Sequence, residues 1–496
     1  MSRTTLVAQL QRTMSRPCGD MAIDFAGRIY TWQFVQEFNE QLGHCLEQLG
    51  TLVAERVGFV AHTRAHHVAC LWGLLAHQRV PAMVYGYQSP EKIAADIRQL
   101  RLPVVIADTQ DWNEHTLAAA REVGTQAIGI SEAGVSIVDL SHTVASLSQH
   151  PVLPGVAVET LSSGTTGTPK RIRLSLENLQ ASAQAAVASI RNMQGDGAQS
   201  ALIIALPLAN ISGIYAVTPP ALMGNPIALM EKFDVDIWLE FVRRYRPSTA
   251  DIPPAAMSML MQRGVDRETL AGINVVRTGA APLDRKVHDY FVDTLGIPVN
   301  LSYGASEFCG VVTTWTSDDL ERFGDSKRGS CGRPLPGVSL RVIDRDSGEI
   351  LGPNRTGILE VNADRVGPDW VRTSDLARLD DQGFMWFVGR DDDTIFRGGF
   401  KLAPEAIAET LRAHPAIADA GVVGVADERL GEVPVAALVL AQGAIKPDAV
   451  AMKAFCRRYL NAQQIPVDFF WLEAIPRTSS LKLHTVELKQ QMHAKR

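Results

Sequence analysis

No two of the six cysteines form a C-x-x-C pair; they are scattered at positions 18, 45, 70, 309, 331 and 456. That scatter speaks against a disulfide framework and fits reduced thiols in a cytosolic protein. There is no basic tail, and the formal net charge of −6 argues against non-specific nucleic-acid binding. The opening MSRTTLVAQLQRTMSRPCGD has no continuous apolar core, so no secretory signal is expected. Charge is missing altogether from Ala201 to Met230, a run long enough to span a bilayer. The run also holds Pro207, Pro219, Pro220 and Pro226, with Asn210, Ser212 and Asn225, which would interrupt a membrane helix repeatedly. It predicts a buried strand, a loop and a core helix, and no membrane partner. With 496 residues, 46% apolar and 21% charged, the chain is long enough for more than one globular domain.

The most informative stretch reads VETLSSGTTGTPKRIRL, residues 158–174. Ser162, Ser163, Thr165, Thr166 and Thr168 supply hydroxyl donors, Gly164 and Gly167 permit positive φ, and Lys170 adds a charge. Small residues let backbone N–H groups turn inward around an anion, so the loop is suited to hold a polyphosphate. A Walker A loop would need Gly-Lys-[Ser/Thr] and would run from a strand into a helix. Here Thr168-Pro169 separates Gly167 from Lys170, and the polar–apolar alternation of 171–175 predicts a second strand after the loop. A mononucleotide-binding P-loop NTPase is therefore not expected.

Upstream, strands are expected at 57–62, 81–86 and 104–108, with a helix through Ala76 and another from Glu91. This alternation predicts doubly wound α/β layers. His62 and His66 are four apart, as metal ligands on a helix can be, with His67 beside them. No Glu follows His62 to make H-E-x-x-H and no third ligand is evident, so helix-entry and surface histidines are expected. Ser175 is positioned to cap a helix with Glu177 in its first turn. Gly304-Ala305-Ser306 falls short of a hydrolase elbow because position 308 is Phe.

SSGTTGTPK resembles the phosphate loop of the adenylate-forming superfamily, which comprises acyl- and aryl-CoA ligases, stand-alone adenylation domains and luciferases. Further segments similar to that family follow in order over about residues 20–490: 202–215, 275–283, 301–310, 372–407 and 475–489. The resemblance implies layered α/β sheets in a large N-terminal domain, 1–388. A hinge at 389–393, with Asp392 as its pivot, and a small mobile α+β C-terminal domain, 394–496, would follow. In the latter, helices at 404–412 and 448–460 and strands at 420–425, 434–440 and 468–473 are expected.

By the same resemblance, Ser162, Ser163, Gly164, Thr165, Thr166, Gly167 and Lys170 hold the phosphates of ATP. Gly279, Ala280, Ala281, Ser302, Tyr303, Gly304 and Ser306 surround the adenine and α-phosphate. Asp375 and Arg390 take the ribose, and Glu307 carries Mg2+. Lys482, Glu307 and Thr166 are the implied catalytic residues. Asn210, Ile211, Ser212 and Gly213 would line the acyl pocket, and Gly398, Gly399 and Lys401 the thiol tunnel. The implied reaction joins a small carboxylic acid to AMP and then to a thiol, with CoA the first choice of acceptor. A separate carrier protein is the alternative acceptor, and a catalytically impaired nucleotide-binding homologue the alternative class. The resemblance also allows a homodimer. No acid occurs in 201–230 to pair with a substrate amine, which disfavours an amino-acid substrate. The chain departs from the family pattern at Arg171, at Ser374, at Asn210 and at Leu481, the last standing where the family has glycine.

Overall fold

The computed structural model describes residues 5–15, 19–139, 152–161, 171–194, 201–397, 400–478 and 481–495, without the side chains of 161, 188–194 and 401. Two compact units divide the chain, the first drawn mainly from residues up to Ser248 and the second mainly from Thr249 onward.

In the first unit, a seven-stranded sheet runs in the order Gly134–Asp139, Gln126–Ser131, Val104–Asp108, Arg56–Ala61, Val80–Tyr85, Val156–Leu161, Arg171–Ser175. Its inner strands are parallel and both edge pairs antiparallel. Parallel neighbours require crossover helices, and Ala65–Ala76 and Pro90–Leu100 supply them. Every residue of Ala65–Ala76 is buried, as its nearly unbroken apolar composition demands. The stretch after the phosphate loop is a strand, Arg171–Ser175, antiparallel to Val156–Leu161. The loop therefore joins two strands. Ser175 accepts the N–H of Asn178 at 3.0 Å and caps the following helix.

Arg171, the departure just after the loop, is held by the sheet. Its Nη1 donates to the Met83 carbonyl at 3.2 Å and lies 3.5 Å from Glu159, whose buried carboxylate also faces Arg56 and Arg173. A second sheet, Leu202–Ile204, Ile227–Leu229, Met21–Phe25, Arg28–Thr31, lies in the same unit. The uncharged run forms a strand, a loop, the helix Ile211–Met223 and a further strand, Ile227–Leu229. Pro219 and Pro220 sit inside that helix rather than ending it. They cannot donate to the preceding turn, and the Thr218 hydroxyl bonds back to the Ile214 carbonyl at 2.7 Å beside them. Among the described residues, no helix is long and apolar enough to cross a membrane.

The three histidines do not lie at the surface. His62, His66 and His67 are 6%, 5% and 0% exposed. A third potential ligand is also present: Asp108, contributed by the neighbouring strand. Its distance along the chain hid it from a reading based on local spacing.

The second unit contains a five-stranded sheet, Thr249–Asp251, Val275–Gly279, Val299–Ala305, Gly310–Thr314, Arg333–Pro334. An antiparallel meander follows through Val338–Ile343, Thr356–Ala363, Val371–Leu379 and Met385–Arg390. Side chains of both sheets share one core around Leu301, Phe308, Val312, Leu359, Val361 and Met385. The C-terminal sheet orders Phe400–Leu402, Ile395–Arg397, Gly431–Leu440, Ile417–Asp427, with Asp468–Leu472 on Gly431–Leu440. Helices Pro404–Arg412 and Ala449–Arg457 cover its core of Ile407, Leu411, Leu438 and Met452. The α+β order read from sequence holds, with the first of its expected strands extended to Ile417–Asp427.

Candidate active site

Strand register builds the centre of the site. Val371–Leu379 pairs with Met385–Arg390 so that Asp375 stands opposite Arg390. From the adjacent sheet, the Tyr303 hydroxyl donates to Asp375 Oδ2. Arg390 Nη1 lies 3.7 Å from Asp375 Oδ1, while its Nε and Nη2 donate to Asp392 at 2.8 and 2.7 Å. Ser374 accepts from Arg390 Nη2 at 2.6 Å. Its hydroxyl thus orients the arginine, a role its neighbourhood in sequence did not signal. Thr373 is a second such residue, its hydroxyl accepting the Asp375 N–H at 3.0 Å.

Burial raises the Asp375 carboxyl above the ordinary range, against the pull of Tyr303 and Arg390. Burial likewise raises the Tyr303 phenol, with the Asp375 charge adding to it. The Tyr303 ring is 8% exposed and stacks at 6.4 Å on Phe387, so the core holds this side chain as well as the site.

Lys482 stands on a tight return of the chain. Thr478 N–H donates to the Lys482 carbonyl and Leu481 N–H to the Thr478 carbonyl, both at 2.8 Å, and Arg477 bridges to Leu483. The Lys482 ammonium is half-buried and falls below its usual range, first through burial and then through Arg390. Asp375 and Glu307 oppose that shift, so the lysine lies within electrostatic reach of both. Tyr303, Asp375 and Arg390 thus form one polar cluster, and the charges of Arg390, Asp375 and Glu307 are felt at Lys482. The exposed carboxylate of Glu307, on the turn Ser306–Phe308, offers the hard oxygen donor that Mg2+ prefers.

Several small residues owe their size to the sheets. A Cβ on Gly279 would meet Ser302 at 2.7 Å, and one on Gly304 would meet the Gly310 carbonyl at 2.4 Å. Ser302 spends its hydroxyl on the Thr278 carbonyl at 3.1 Å. Ala280, between Gly279 and Ala281, takes φ 64° in the left-handed region. Ser306 opens the turn that carries Glu307. The acidic run 391–393 is held by neighbouring charges. Asp391 pairs with Arg345 at 3.2 Å, Asp392 is gripped by Arg390, and burial beside Asp392 raises the Asp393 carboxyl.

In the first unit, Asn210 stands at the start of Ile211–Met223 and accepts from the Tyr85 hydroxyl. Ile211 and Ser212 open the helix. Gly213 has no alternative, because a Cβ would meet the Pro207 carbonyl at 2.2 Å. Tyr85 escaped the sequence reading, its only mark being a polar end to an apolar strand. Burial pushes its phenol up to about 12. Ser162, Ser163, Gly164, Thr165, Thr166, Gly167, Lys170, Gly398 and Gly399 lie outside the described residues, as does the Lys401 side chain.

Leu481 adopts φ 61°, the left-handed conformation for which glycine is the usual choice. The return is therefore made with leucine in a glycine-like geometry, at a cost of about 1–2 kcal/mol. Leu481→Gly relieves that strain but adds freedom to the unfolded chain, so its net effect on stability should stay within about 1 kcal/mol. Adenylation should change by less than about threefold, since 1.4 kcal/mol corresponds to tenfold. A melting curve and pyrophosphate exchange check both. A rise well beyond threefold would mark Leu481 as an impairing residue.

The second unit sets a buried carboxylate, Asp375, against Arg390 on paired strands, with Lys482 on a later turn of the same unit. The chain belongs to the adenylate-forming superfamily: the AMP-binding enzyme model matches residues 10–367, and the model of the AMP-binding enzyme C-terminal domain matches 406–482. It is 31% identical over 343 residues to a 2-succinylbenzoate–CoA ligase of Bacillus cereus, covering 66% of this chain and 68% of that enzyme. It is 30% identical over 352 residues to 4-coumarate–CoA ligase 1 of Narcissus pseudonarcissus, covering 67% and 64%. Its fold matches that of O-succinylbenzoate coenzyme A synthetase from Bacillus subtilis in complex with ATP and magnesium ion, with a TM-score of 0.78. The identity there is 22%, over 97% of this chain and 99% of that one.

Proposed function

We propose that the chain is an AMP-forming acid–thiol ligase that makes an acyl-adenylate and passes the acyl group to CoA. The observation that carries this reading is the Asp375–Arg390 pair under the Tyr303 hydroxyl, with the half-buried Lys482 close enough for their charges to act on it. In the first step a carboxylate oxygen attacks the α-phosphorus of ATP and pyrophosphate leaves. Positioning and charge neutralisation supply most of the catalysis in such a transfer. Lys482 pairs with the carboxylate and the α-phosphate, Asp375 and Arg390 orient the ribose, and the loop 162–170 cradles the outer phosphates. Mg2+ held by Glu307 neutralises phosphate charge when bound. In the second step the CoA thiol attacks the acyl carbon and AMP leaves. Rotation of 394–496 about Asp392 withdraws Lys482 and presents Gly398, Gly399 and Lys401 to the thiol. The interval between the two family matches, which end at 367 and resume at 406, contains that hinge.

The acid is an aryl or aliphatic carboxylate. Uncharged walls around Asn210–Gly213 support this, with the Asn210–Tyr85 pair as the polar contact, and so do two relatives named for aryl acids. The five described cysteines are all free and buried, which supports a cytoplasmic setting. The test is isotope exchange between pyrophosphate and ATP over a panel of aryl, aliphatic and amino acids. CoA or a carrier protein is then added and the thioester read by mass. Exchange driven by an aryl acid with transfer to CoA is expected. Transfer only to the carrier protein would replace the acceptor, and ATP binding without exchange would leave a nucleotide binder.

A further inference from the structure

The buried histidine cluster has no part in the chemistry above. It lies at the carboxyl ends of two adjacent parallel strands, Arg56–Ala61 and Val104–Asp108. From Arg56–Ala61 the chain passes through Ala65–Ala76 to Val80–Tyr85 on one side. It then returns through Pro90–Leu100 to Val104–Asp108 on the other. Such a reversal of strand order opens a crevice where α/β sheets bind ligands. Here polar groups fill it. His66 Nε2 stands 2.9 Å and Arg64 Nη1 3.0 Å from Asp108 Oδ2, and His62 Nε2 stands 2.8 Å from Asp111 Oδ2.

His67, fully buried, has no hydrogen-bond partner at either ring nitrogen, and His62 Nδ1 has none. Buried polar atoms are nearly always paired, so an imidazole with both nitrogens unmatched points to a group the protein expects there. One donor atom from each of His66, His67 and Asp108 lies within 4.8 Å of the others. The His62 ring is centred 5.1 Å from His67, with its far nitrogen on a carboxylate. That is how metal-binding histidines are commonly oriented.

We propose that His66, His67 and Asp108 bind a zinc-class divalent cation, with His62 Nδ1 the available fourth nitrogen. Two imidazoles and a carboxylate suit Zn2+ in tetrahedral geometry and suit Mg2+ poorly. On binding, the hydrogen shared by His66 Nε2 and Asp108 gives way to the metal. The imidazole stays neutral by carrying its proton on Nδ1, and Arg64 keeps its bond to the carboxylate. The carboxylates Asp108, Asp111 and Glu231 outnumber the cations Arg64 and, beyond the Tyr87 ring, Lys232, an imbalance that a dication offsets. The site would fasten one end of the sheet. It would also steady the turn whose Thr63 hydroxyl accepts the Leu208 N–H at 3.1 Å.

The full chain, stripped with a chelator, is titrated with Zn2+ or Co2+ alone. One equivalent of zinc should survive desalting, the melting midpoint should rise by several degrees, and Co2+ should give the intense visible bands of tetrahedral coordination. His67→Gln should weaken binding by more than the about 10–100-fold typical of changes outside the ligand set. His66→Cys should keep the metal and add a thiolate-to-cobalt charge-transfer band, at one equivalent of cobalt and with the circular dichroism and cooperative melting of the unaltered protein, a combination that a misfolded variant exposing its other cysteines would not show. Failure of the unaltered protein to retain zinc, a weak octahedral cobalt spectrum, or unchanged affinity in His67→Gln would each overturn the assignment.

Discussion

Lys482→Ala should lower pyrophosphate–ATP exchange by about 10²–10³-fold, the scale on which a single preorganised electrostatic contact acts. It should leave thioester formation from a supplied acyl-adenylate within about threefold of the unaltered rate, because no Lys482 contact is required in that step. The tight return around the lysine fixes the backbone on either side of it, and the charges of Asp375 and Glu307 act on its ammonium. The charged form is the useful one, and burial places its pKa below the ordinary 10.5. Exchange should therefore fade on the alkaline side at a lower pH than a free lysine would impose. Stability follows the opposite sense. A lysine with a depressed folded pKa burdens the fold while charged, and that burden is relieved as pH rises from the folded toward the unfolded value. Lys482→Ala should accordingly melt no lower than the unaltered protein, which separates lost chemistry from lost structure. Equal loss in both half-reactions would remove the assigned role.

Much of this was legible because it is local. The strand that begins at Arg171, the Ser175 cap and the α+β order of the C-terminal part depend on residues within a few positions of one another. The histidines were misjudged because their partner Asp108 comes 42 residues after His66, brought alongside by parallel pairing. At 279 and 304, which the family resemblance gives to the nucleotide site, neighbouring strands by themselves already exclude any Cβ, a constraint that no local pattern shows. Prolines 219 and 220 looked like helix breakers, yet they lie in the continuously buried stretch Val217–Ala221 of their helix, where packing holds them. Propensity is a weak vote against tertiary burial of that extent.

The second large effect is one no local pattern could announce, since Arg412 and Asp284 are 128 residues apart. Arg412 Nε donates to Asp284 Oδ2 at 2.7 Å, Nη1 to the Ala420 carbonyl at 2.9 Å, and Nη2 to Glu405. The Lys286 ammonium adds a bond to the Arg412 carbonyl at 2.6 Å. Burial works against the guanidinium charge, but Glu405 and Asp284 more than offset it. Arg412→Ala leaves both carboxylates facing each other without their cation, and removing one member of a buried pair costs about 3–5 kcal/mol. Asp284 and Glu405 retain 13% and 30% exposure, so about 2–4 kcal/mol is expected, read as a lower denaturant midpoint for the second unit. Arg412→Lys keeps the charge but loses the fork that reaches three acceptors, and should recover only part of that loss. In a double-mutant cycle, Asp284→Ala and Arg412→Ala should couple by about 1–3 kcal/mol, because they share one contact. The pair also joins the helix Pro404–Arg412 to the turn after Ala281, so the rotation about Asp392 proposed above would break it. Asp284→Asn should therefore slow adenylation relative to thioester formation from supplied adenylate. If both half-reactions fell together while the cycle stayed additive, the contact would be neither a structural tie nor a conformational one.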